Sequence, residues 1–377
     1  MISTSAMRLR LQRETLVLGG VCLLVAIMFF IAAVSVHAYN NRVSLLSVRW
    51  ARRGSYQLAA GNPAAAIEDF RNALAYDAQN ADYQLHLAQA LGRVGKPDEA
   101  RAYLLHLWRN EPGNGVVNLE LARLSARQGE VDDALRYFHN AIYGVWDTNP
   151  DESRRNVRLE LVAFLLQNGR NTQADAELIS LQPSLPSAPE AHVQAGNLFL
   201  QAGDSQRALE EFQQALRLDA NNPDAVVGAG RAAFALANVR LAQQYLARAA
   251  LQRPASPRVQ SMLAILEAVH KLDAFEFRLS RSQRAARANL AFQTVMQRLQ
   301  NCTAVQSGNA PAVQAQISTG NAIAQQLMKP RYLYKPDAID KVMSFVFDAE
   351  AEATKHCGLA TTEDAALQLI ARMHESR

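Results

Sequence analysis

The sequence repeats at a spacing of 34 residues from about residue 47 to about residue 270. One column of the repeat holds a glycine in five copies and an alanine in the sixth: Gly61, Gly95, Gly129, Gly169, Gly203 and Ala237. The one exception to the spacing is the step of 40 residues from Gly129 to Gly169, which places about six extra residues near residues 146–154. A period of this length is typical of solenoids, in which short units stack on their neighbours.

Three further columns indicate how each unit packs. Five residues after the glycine column every copy has an alanine: Ala66, Ala100, Ala134, Ala174, Ala208 and Ala242. Four residues later every copy has a phenylalanine or a leucine: Phe70, Leu104, Phe138, Leu178, Phe212 and Leu246. Small residues, with one valine, precede the glycine column by seven positions: Gly54, Ala88, Ala122, Val162, Gly196, Gly230 and, in a partial seventh copy, Ala264. Small columns let two antiparallel helices approach closely, so we predict helix–turn–helix units with glycine in the turn.

This set of columns resembles the tetratricopeptide repeat family, and Trp50 and Gly54 match the first-helix signature of that family. The resemblance covers about 225 of the 377 residues and implies six full repeats and one partial repeat over residues 47–272. It implies an all-α fold, a solenoid of antiparallel helix pairs, followed by a helical C-terminal domain over residues 273–377.

Residues 15–38 contain no aspartate, glutamate, lysine or arginine. At about 1.5 Å per residue, a helix over this stretch spans roughly 36 Å, which is enough to cross a bilayer core. We predict one transmembrane helix at 15–38, after a short tail at 1–14 and before a linker at 39–46. The alternatives are a signal peptide cleaved after Val36-His37-Ala38 and a buried helix.

Arginines lie on both sides of the apolar stretch, so their count does not decide the orientation of the chain. Cys302 and Cys357 are the only cysteines outside it. Such a pair in a terminal domain favours a disulfide in an oxidising compartment. We therefore predict an inner-membrane protein of a bacterium with its soluble part in the periplasm; the alternative is a cytoplasmic soluble part with two buried thiols.

The C-terminal region is predicted to form helices at about 274–301, 311–328 and 337–356. A last helix is predicted from Thr361, which forms a capping-box spacing with Asp364. A terminal polar cap is the ordinary role of such helices in a solenoid.

No acidic residue lies between Glu276 and Asp337, whereas arginine and lysine accumulate there. Four arginines recur every third residue and would form a basic stripe on a helix: Arg278, Arg281, Arg284 and Arg287. The stripe predicts a surface for an anionic partner; the alternative is a solvated face neutralised by acidic residues elsewhere. No aromatic residues interleave with it to stack on bases, so nucleic acid is the least favoured of the anionic partners.

The sequence contains no catalytic or metal-binding motif that withstands scrutiny. Gly228-Ala229-Gly230 imitates a dinucleotide-binding loop, but it occupies repeat columns and no strand precedes it. His356 and Cys357 have no second ligand cluster at zinc spacing. We therefore predict no enzyme activity, no cofactor and no metal.

Family resemblance implies that a peptide or partner helix binds a groove lined by the first helix of each repeat. The corresponding positions are Arg93, Arg123, Arg127, Gln167, Asn197, Gln201 and Arg231. Arg123 and Arg127 lie one turn apart and predict contacts to carboxylates of an acidic peptide; the alternative is that they only solvate the groove. The family's clamp for C-terminal carboxylates needs lysine and asparagine where this chain has Ala51 and Ser55.

Two functions follow from these observations. The first is a membrane-anchored scaffold or adaptor that binds a partner protein in its groove, in assembly or maintenance of an envelope complex. The alternative is an envelope protein that binds anionic lipid or polymer through the basic helix at 278–298.

Overall fold

The computed structural model of the protein describes residues 4–252, 256–303, 311–358 and 361–374, without the side chains of residues 4–22, 26 and 40. The chain divides into two compact units, residues 1–161 and 162–377. The described residues are helical and form no strand. The fold is the expected all-α solenoid of antiparallel helix pairs. The predicted domain boundaries at 46/47 and 272/273 stay predictions.

The first unit begins with one long helix, whose last turns pair with the second helix, and continues with further helix pairs that pack as hairpins. Its helices are α1 Thr4–Ala59, α2 Pro63–Tyr76, α3 Ala81–Arg93, α4 Pro97–Asn110, α5 Gly115–Gln128, α6 Val131–Ile142 and the larger part of α7 Pro150–Gln167. Proline opens α2 and α4, where its missing N–H is not needed. The side chains of Asn80 and Asn114 accept hydrogen bonds from the backbone and cap α3 and α5.

The second unit continues the hairpins and ends in four further helices. Its helices after α7 are α8 Asn171–Leu181, α9 Pro189–Ala202, α10 Ser205–Leu218, α11 Pro223–Ala235, α12 Val239–Gln252, α13 Pro257–Leu272, α14 Arg281–Thr303, α15 Pro311–Leu327, α16 Ala338–Cys357 and α17 Thr362–His374. Short 3₁₀ turns lie at Gln182–Ser184 and Tyr332–Tyr334. One buried core runs from α11 to α17, so the C-terminal helices extend the core of the last repeats.

The glycine column lies at the turns between paired helices, as predicted. All five glycines have a left-handed backbone, with φ between 68° and 99°. A side chain strains this conformation, which explains the choice of glycine. Ala237 adopts the same conformation in the sixth copy, with φ of 55°.

The alanine column and the phenylalanine or leucine column are buried throughout, as predicted. Phe212 shows why the small column is needed. A Cβ atom on Gly196, a member of that column, would lie 2.9 Å from the Phe212 ring. Gly228 lies outside the column but faces the same ring, and a Cβ atom on it would lie 2.2 Å away. Ala264 of the partial seventh copy is exposed, because α13 packs against α12 and α17 through other positions.

The extra residues between the third and fourth repeats form a pinned turn at 143–149, slightly earlier than predicted. Val145 exchanges backbone hydrogen bonds with Gly113 and Gly115 at 2.8 and 2.9 Å. The Trp146 indole donates to the Ala141 carbonyl at 2.9 Å and lies against Gly115. The insertion is therefore held by the repeat that it follows.

Helix α1 is continuous through the regions that we predicted as tail, transmembrane span and linker. Residues 39–46 are helical, so the expected linker is a continuous part of α1. An 18-residue window within Leu23–Ala59 has a mean hydropathy of 2.0 and is not buried, so by length and composition this stretch could cross a membrane. The last turns of α1 pack on α2 through Ala51 and Leu58.

The C-terminal helices match the predicted ones except at the start of the first. Helix α14 begins at Arg281 rather than at residue 274, because residues 273–280 form turns in which Arg278 has φ of 73°. The predicted capping box is confirmed: the Thr361 N–H donates to Asp364 Oδ2 at 2.9 Å, and the Asp364 N–H donates to Thr361 Oγ1 at 3.2 Å.

Candidate functional site

In the first unit, two of the three predicted groove arginines form hydrogen bonds with acceptors of the same chain. Arg123 donates to both carboxylate oxygens of Glu160 at 2.8 Å and to Glu120 at 2.8 Å. The hydrogen bond to Glu160, together with the charge of both carboxylates, holds the pKa of Arg123 above its ordinary value. Arg93 donates to the Leu58 carbonyl at 3.2 Å.

Arg127 is the exception in this unit. Its guanidinium lies over the backbone of Gly92, where an added Cβ would be 3.0 Å from Nη2. It is exposed, and no described residue forms an ion pair with it. Arg123 already holds two carboxylates of its own chain, from α5 and α7, and the expectation that Arg123 and Arg127 jointly receive a partner's carboxylate stays a prediction.

In the second unit, two of the predicted groove residues line one pocket of about 450 Å³. The pocket lies on α9 and the start of α11, with the lining residues Glu190, Val193, Gln194, Asn197, Leu198, Gln201, Asn222 and Asp224. Arg231 donates to Asn197 Oδ1 at 3.3 Å and lies beside the lining residues. Gln167 is exposed on α7 and is not among the lining residues.

The charge of this pocket is opposite to the charge that the sequence predicts. Glu190 and Asp224 are its charged lining residues, and both are exposed. Burial, and then the charge of Arg258, lower the pKa of Arg231 from its ordinary value. A pocket with two carboxylates, four amides and two aliphatic side chains suits a basic side chain on an extended or helical partner.

Sequence reasoning missed Glu190 and Asp224 because they lie in the first turns of α9 and α11, outside the transferred groove positions. A signal for them exists. Each follows a proline, and the two Pro-acid pairs are 34 residues apart, so they occupy the same repeat position. Alanine precedes the first pair and asparagine the second, and only Asn222 caps its helix with its side chain, through the Ala225 N–H at 3.0 Å.

The basic stripe is not one helix face. Arg278 lies in the turn before α14, with its guanidinium 5.4 Å from the Phe277 ring. Arg287 pairs with Glu276 and donates to the Asp273 carbonyl at 3.1 Å. Arg278 is exposed in that turn, and Arg281 and Arg284 are exposed in the first turn of α14, so the latter two remain as an exposed basic pair on one helix.

Helices α14 and α16 are joined at their C-terminal ends. The sulfur atoms of Cys302 and Cys357 lie at bonding distance, with the Cα atoms 5.9 Å apart. One turn before Cys302, Arg298 forms a buried ion pair with Asp364 of α17 at 3.1 Å. These contacts tie three helices of the cap together.

Among the described residues, no group of three or more histidine, cysteine or acidic side chains could hold a metal ion. Gly228 and Gly230 are buried inside α11 against Phe212 and Leu246. They are packing positions of the sixth repeat, and no strand among the described residues precedes them.

Comparisons with known proteins agree with this fold. One tetratricopeptide repeat model matches residues 57–114 and 199–266, and another matches residues 159–225. No curated protein matches the chain.

Three solved structures illustrate the likeness. Pseudomonas aeruginosa pilF is 19% identical and covers 59% of this chain and 98% of its own, with a TM-score of 0.42. PilW, described as a widely conserved type IV pilus biogenesis factor, is 19% identical over 58% of this chain and 98% of its own, with a TM-score of 0.42. YrrB, described as a TPR protein with an unusual peptide-binding site, is 18% identical over 52% of this chain and 97% of its own, with a TM-score of 0.40. These scores carry no argument about function.

Proposed function

Because this chain is a tetratricopeptide repeat protein, we propose that it is a scaffold that binds a partner segment along α9 and α11. Tetratricopeptide repeat proteins generally mediate protein–protein interaction. The observation that carries the proposal is the pocket of about 450 Å³ that contains Asn197 and Gln201. Glu190 receives a lysine or arginine of the partner, Asp224 adds negative charge to the same pocket, and the amides receive the partner's backbone.

A charge-reversal experiment tests this assignment. The double variant Glu190→Lys and Asp224→Lys should weaken binding of the partner, or of a lysine-bearing peptide selected from an array, at least 10-fold, because an attraction becomes a repulsion. The matched control is Asp340→Lys with Asp348→Lys, which changes the same charge on exposed positions of α16. Equal losses in both variants would show that only net charge matters.

The acidic peptide predicted from the sequence is a defined outcome of the same array. In that outcome the protein would bind acidic peptides of the array in preference to basic ones. Arg127→Glu would then abolish binding, whereas the double variant of Glu190 and Asp224 would not. That result would move the site to the first unit and overturn the assignment to α9 and α11.

We also propose that α1 anchors the scaffold in a bacterial inner membrane with the repeats in the periplasm, where it assembles or maintains an envelope complex. Support comes from the exposed apolar stretch of α1 and from the paired cysteines, which suit an oxidising compartment. A membrane-impermeant maleimide, applied to intact cells that carry Cys22→Ser, tests both features. Labelling of Cys302 and Cys357 only after reduction supports the proposal. Labelling that needs lysis and no reductant places the repeats in the cytoplasm.

The alternative function, binding of anionic lipid or polymer through residues 278–298, is supported only by the exposed Arg281 and Arg284. Reversing both charges should abolish binding to anionic polymer if this alternative is correct. The same variant should leave binding to the α9–α11 pocket unchanged.

A further inference from the structure

A second concavity lies where the last repeat meets the C-terminal helices. It has a volume of about 470 Å³, which is within the range of ligand pockets. Its lining residues come from the turn before α12, from α12 and α13, from the turn after α13 and from α17: Ala237, Asn238, Val239, Arg240, Gln243, Val269, His270, Asp273, Glu276, Phe277 and Met373. Apart from Ala237, none of these residues belongs to the predicted repeat columns or groove positions.

Both carboxylates of this pocket are already partnered by the chain. Asp273 Oδ1 accepts from His374 Nε2 at 3.2 Å and from the Phe275 N–H at 2.9 Å. Glu276 pairs with Arg287, and its Oε1 lies 3.2 Å from His270 Nδ1. The hydrogen bond from Arg287 lowers the pKa of Glu276, so this carboxylate stays ionised and bound to its partners.

The remaining polar groups of the pocket are donors. Arg240 is exposed and forms no ion pair or hydrogen bond with a described residue. Gln243 follows it by one turn on the same face of α12. Because the Gln243 Oε1 faces His270 Nε2 at 3.1 Å, the amide N–H₂ group of Gln243 remains available. A guanidinium and an amide N–H₂ that converge on one space suit a carboxylate.

Apart from Asn238, whose Oδ1 accepts from the Leu241 N–H at 3.2 Å, the rest of the pocket is apolar. Val239, Val269 and Met373 line it, and the Phe277 side chain at its edge is 82% exposed. The exposed Phe277 ring and the apolar hollow together form a continuous apolar surface against which an apolar side chain of a partner can pack.

We propose that this pocket binds a partner peptide in which a carboxylate stands next to a large apolar side chain. Arg240 and Gln243 donate to the carboxylate. The apolar side chain packs against Phe277, Val239 and Met373. This site is separate from the α9–α11 pocket and has the opposite preference for charge.

Fluorescein-labelled pentapeptides with Asp-Phe, Glu-Trp or Asp-Leu in a glycine–serine frame serve as probes for the full chain in detergent micelles. Two matched panels replace the acid by its amide or the apolar residue by alanine. We expect the acidic–apolar peptides to bind at least 10-fold more tightly than either panel, as measured by fluorescence polarisation. Equal binding of the amide panel would overturn the proposal.

Variants locate the binding. Arg240→Glu should weaken peptide binding at least 10-fold. The milder Arg240→Gln and Phe277→Ser should each weaken it severalfold. Both side chains are exposed, so the fold should tolerate these changes, which circular dichroism verifies. Lys341→Glu on α16 is the charge-matched control and should bind as the wild type does. Wild-type affinity in both Arg240 variants, or an equal loss in Lys341→Glu, would rule out this site.

Discussion

Arg123 donates two parallel hydrogen bonds to Glu160, from Nε to Oε1 and from Nη2 to Oε2, each 2.8 Å long. The pair joins α5 to α7, the first helices of two consecutive repeats. Its geometry is the bidentate contact that a partner's carboxylate would make at this position. The face predicted to bind a partner in the first unit is therefore used, at Arg123, for the cohesion of the solenoid.

A double-mutant cycle on this pair should give a favourable coupling of about 1 kcal/mol, since the pair is bidentate but partly exposed. The single variants Arg123→Met and Glu160→Gln and their combination are compared by urea unfolding. Arg136 and Asp133, an exposed pair one turn apart, provide the control cycle and should couple less. A coupling near zero for Arg123 and Glu160 would mean that the contact does not stabilise the stack.

Packing within repeats was predictable from the sequence because it depends on residue size at a fixed spacing. The columns around Phe70, Phe138 and Phe212 are buried as their period requires. The partners of the charged side chains could not be predicted in the same way. Whether Arg123 faces a partner or its own chain depends on Glu160, which lies 37 residues away, outside the 34-residue register.

The start of α14 and the pocket on α9 and α11 are two further features that the repeat spacing does not predict. Arg278, Arg281 and Arg284 have helical spacing, but the left-handed backbone of Arg278 removes it from the helix, and nothing in the spacing reveals that. Glu190 and Asp224 share a repeat position, yet their role depends on the pocket between α9 and α11. The period therefore predicts the scaffold, whereas the sites depend on three-dimensional neighbours.

Gly228→Ala should destabilise the protein by about 1–3 kcal/mol, because the new Cβ would lie 2.2 Å from Phe212. The sign is diagnostic, since alanine ordinarily stabilises a helix interior by about 1 kcal/mol relative to glycine. Thermal unfolding of the purified chain measures the change. Gly113→Ala is the control, because no atom lies within 4 Å of its added Cβ and it should be nearly neutral. An increase in stability for Gly228→Ala would refute the close packing of α10 and α11.

Ala237→Gly should stabilise the sixth hairpin by about 0.5–1 kcal/mol, because Ala237 holds a left-handed backbone with φ of 55°. The reciprocal change, Gly203→Ala, introduces a side chain at φ of 99° and should destabilise its hairpin by a similar or larger amount. Thermal unfolding of both variants tests the pair. Two changes of the same sign would contradict the left-handed turn as the reason for the glycine column.

Glu350 is a buried carboxyl group in α16 and should make the cap sensitive to pH. Burial, and then the charge of Asp364, raise the pKa of Glu350 to about 7, against a hydrogen bond from Thr354 that lowers it. Its Oε1 accepts from Thr354 Oγ1 at 3.0 Å, whereas its Oε2 has no hydrogen-bond partner among the described residues. A protonated carboxyl group suits this site better than a carboxylate.

Since the pKa is raised on folding from 4.5 to about 7, the folded state binds a proton that the unfolded state has lost between these two values. The contribution of Glu350 to stability is therefore full below pH 4.5, declines as the pH rises to about 7, and is constant above it. Glu350→Gln keeps the shape and removes the titration. Wild type should lose on the order of 2 kcal/mol relative to this variant between pH 4.5 and pH 8, as measured by urea unfolding in detergent. The exposed Glu363→Gln serves as the control and should show no such difference. Parallel pH profiles for wild type and Glu350→Gln would show that Glu350 is ionised in the folded protein throughout this range.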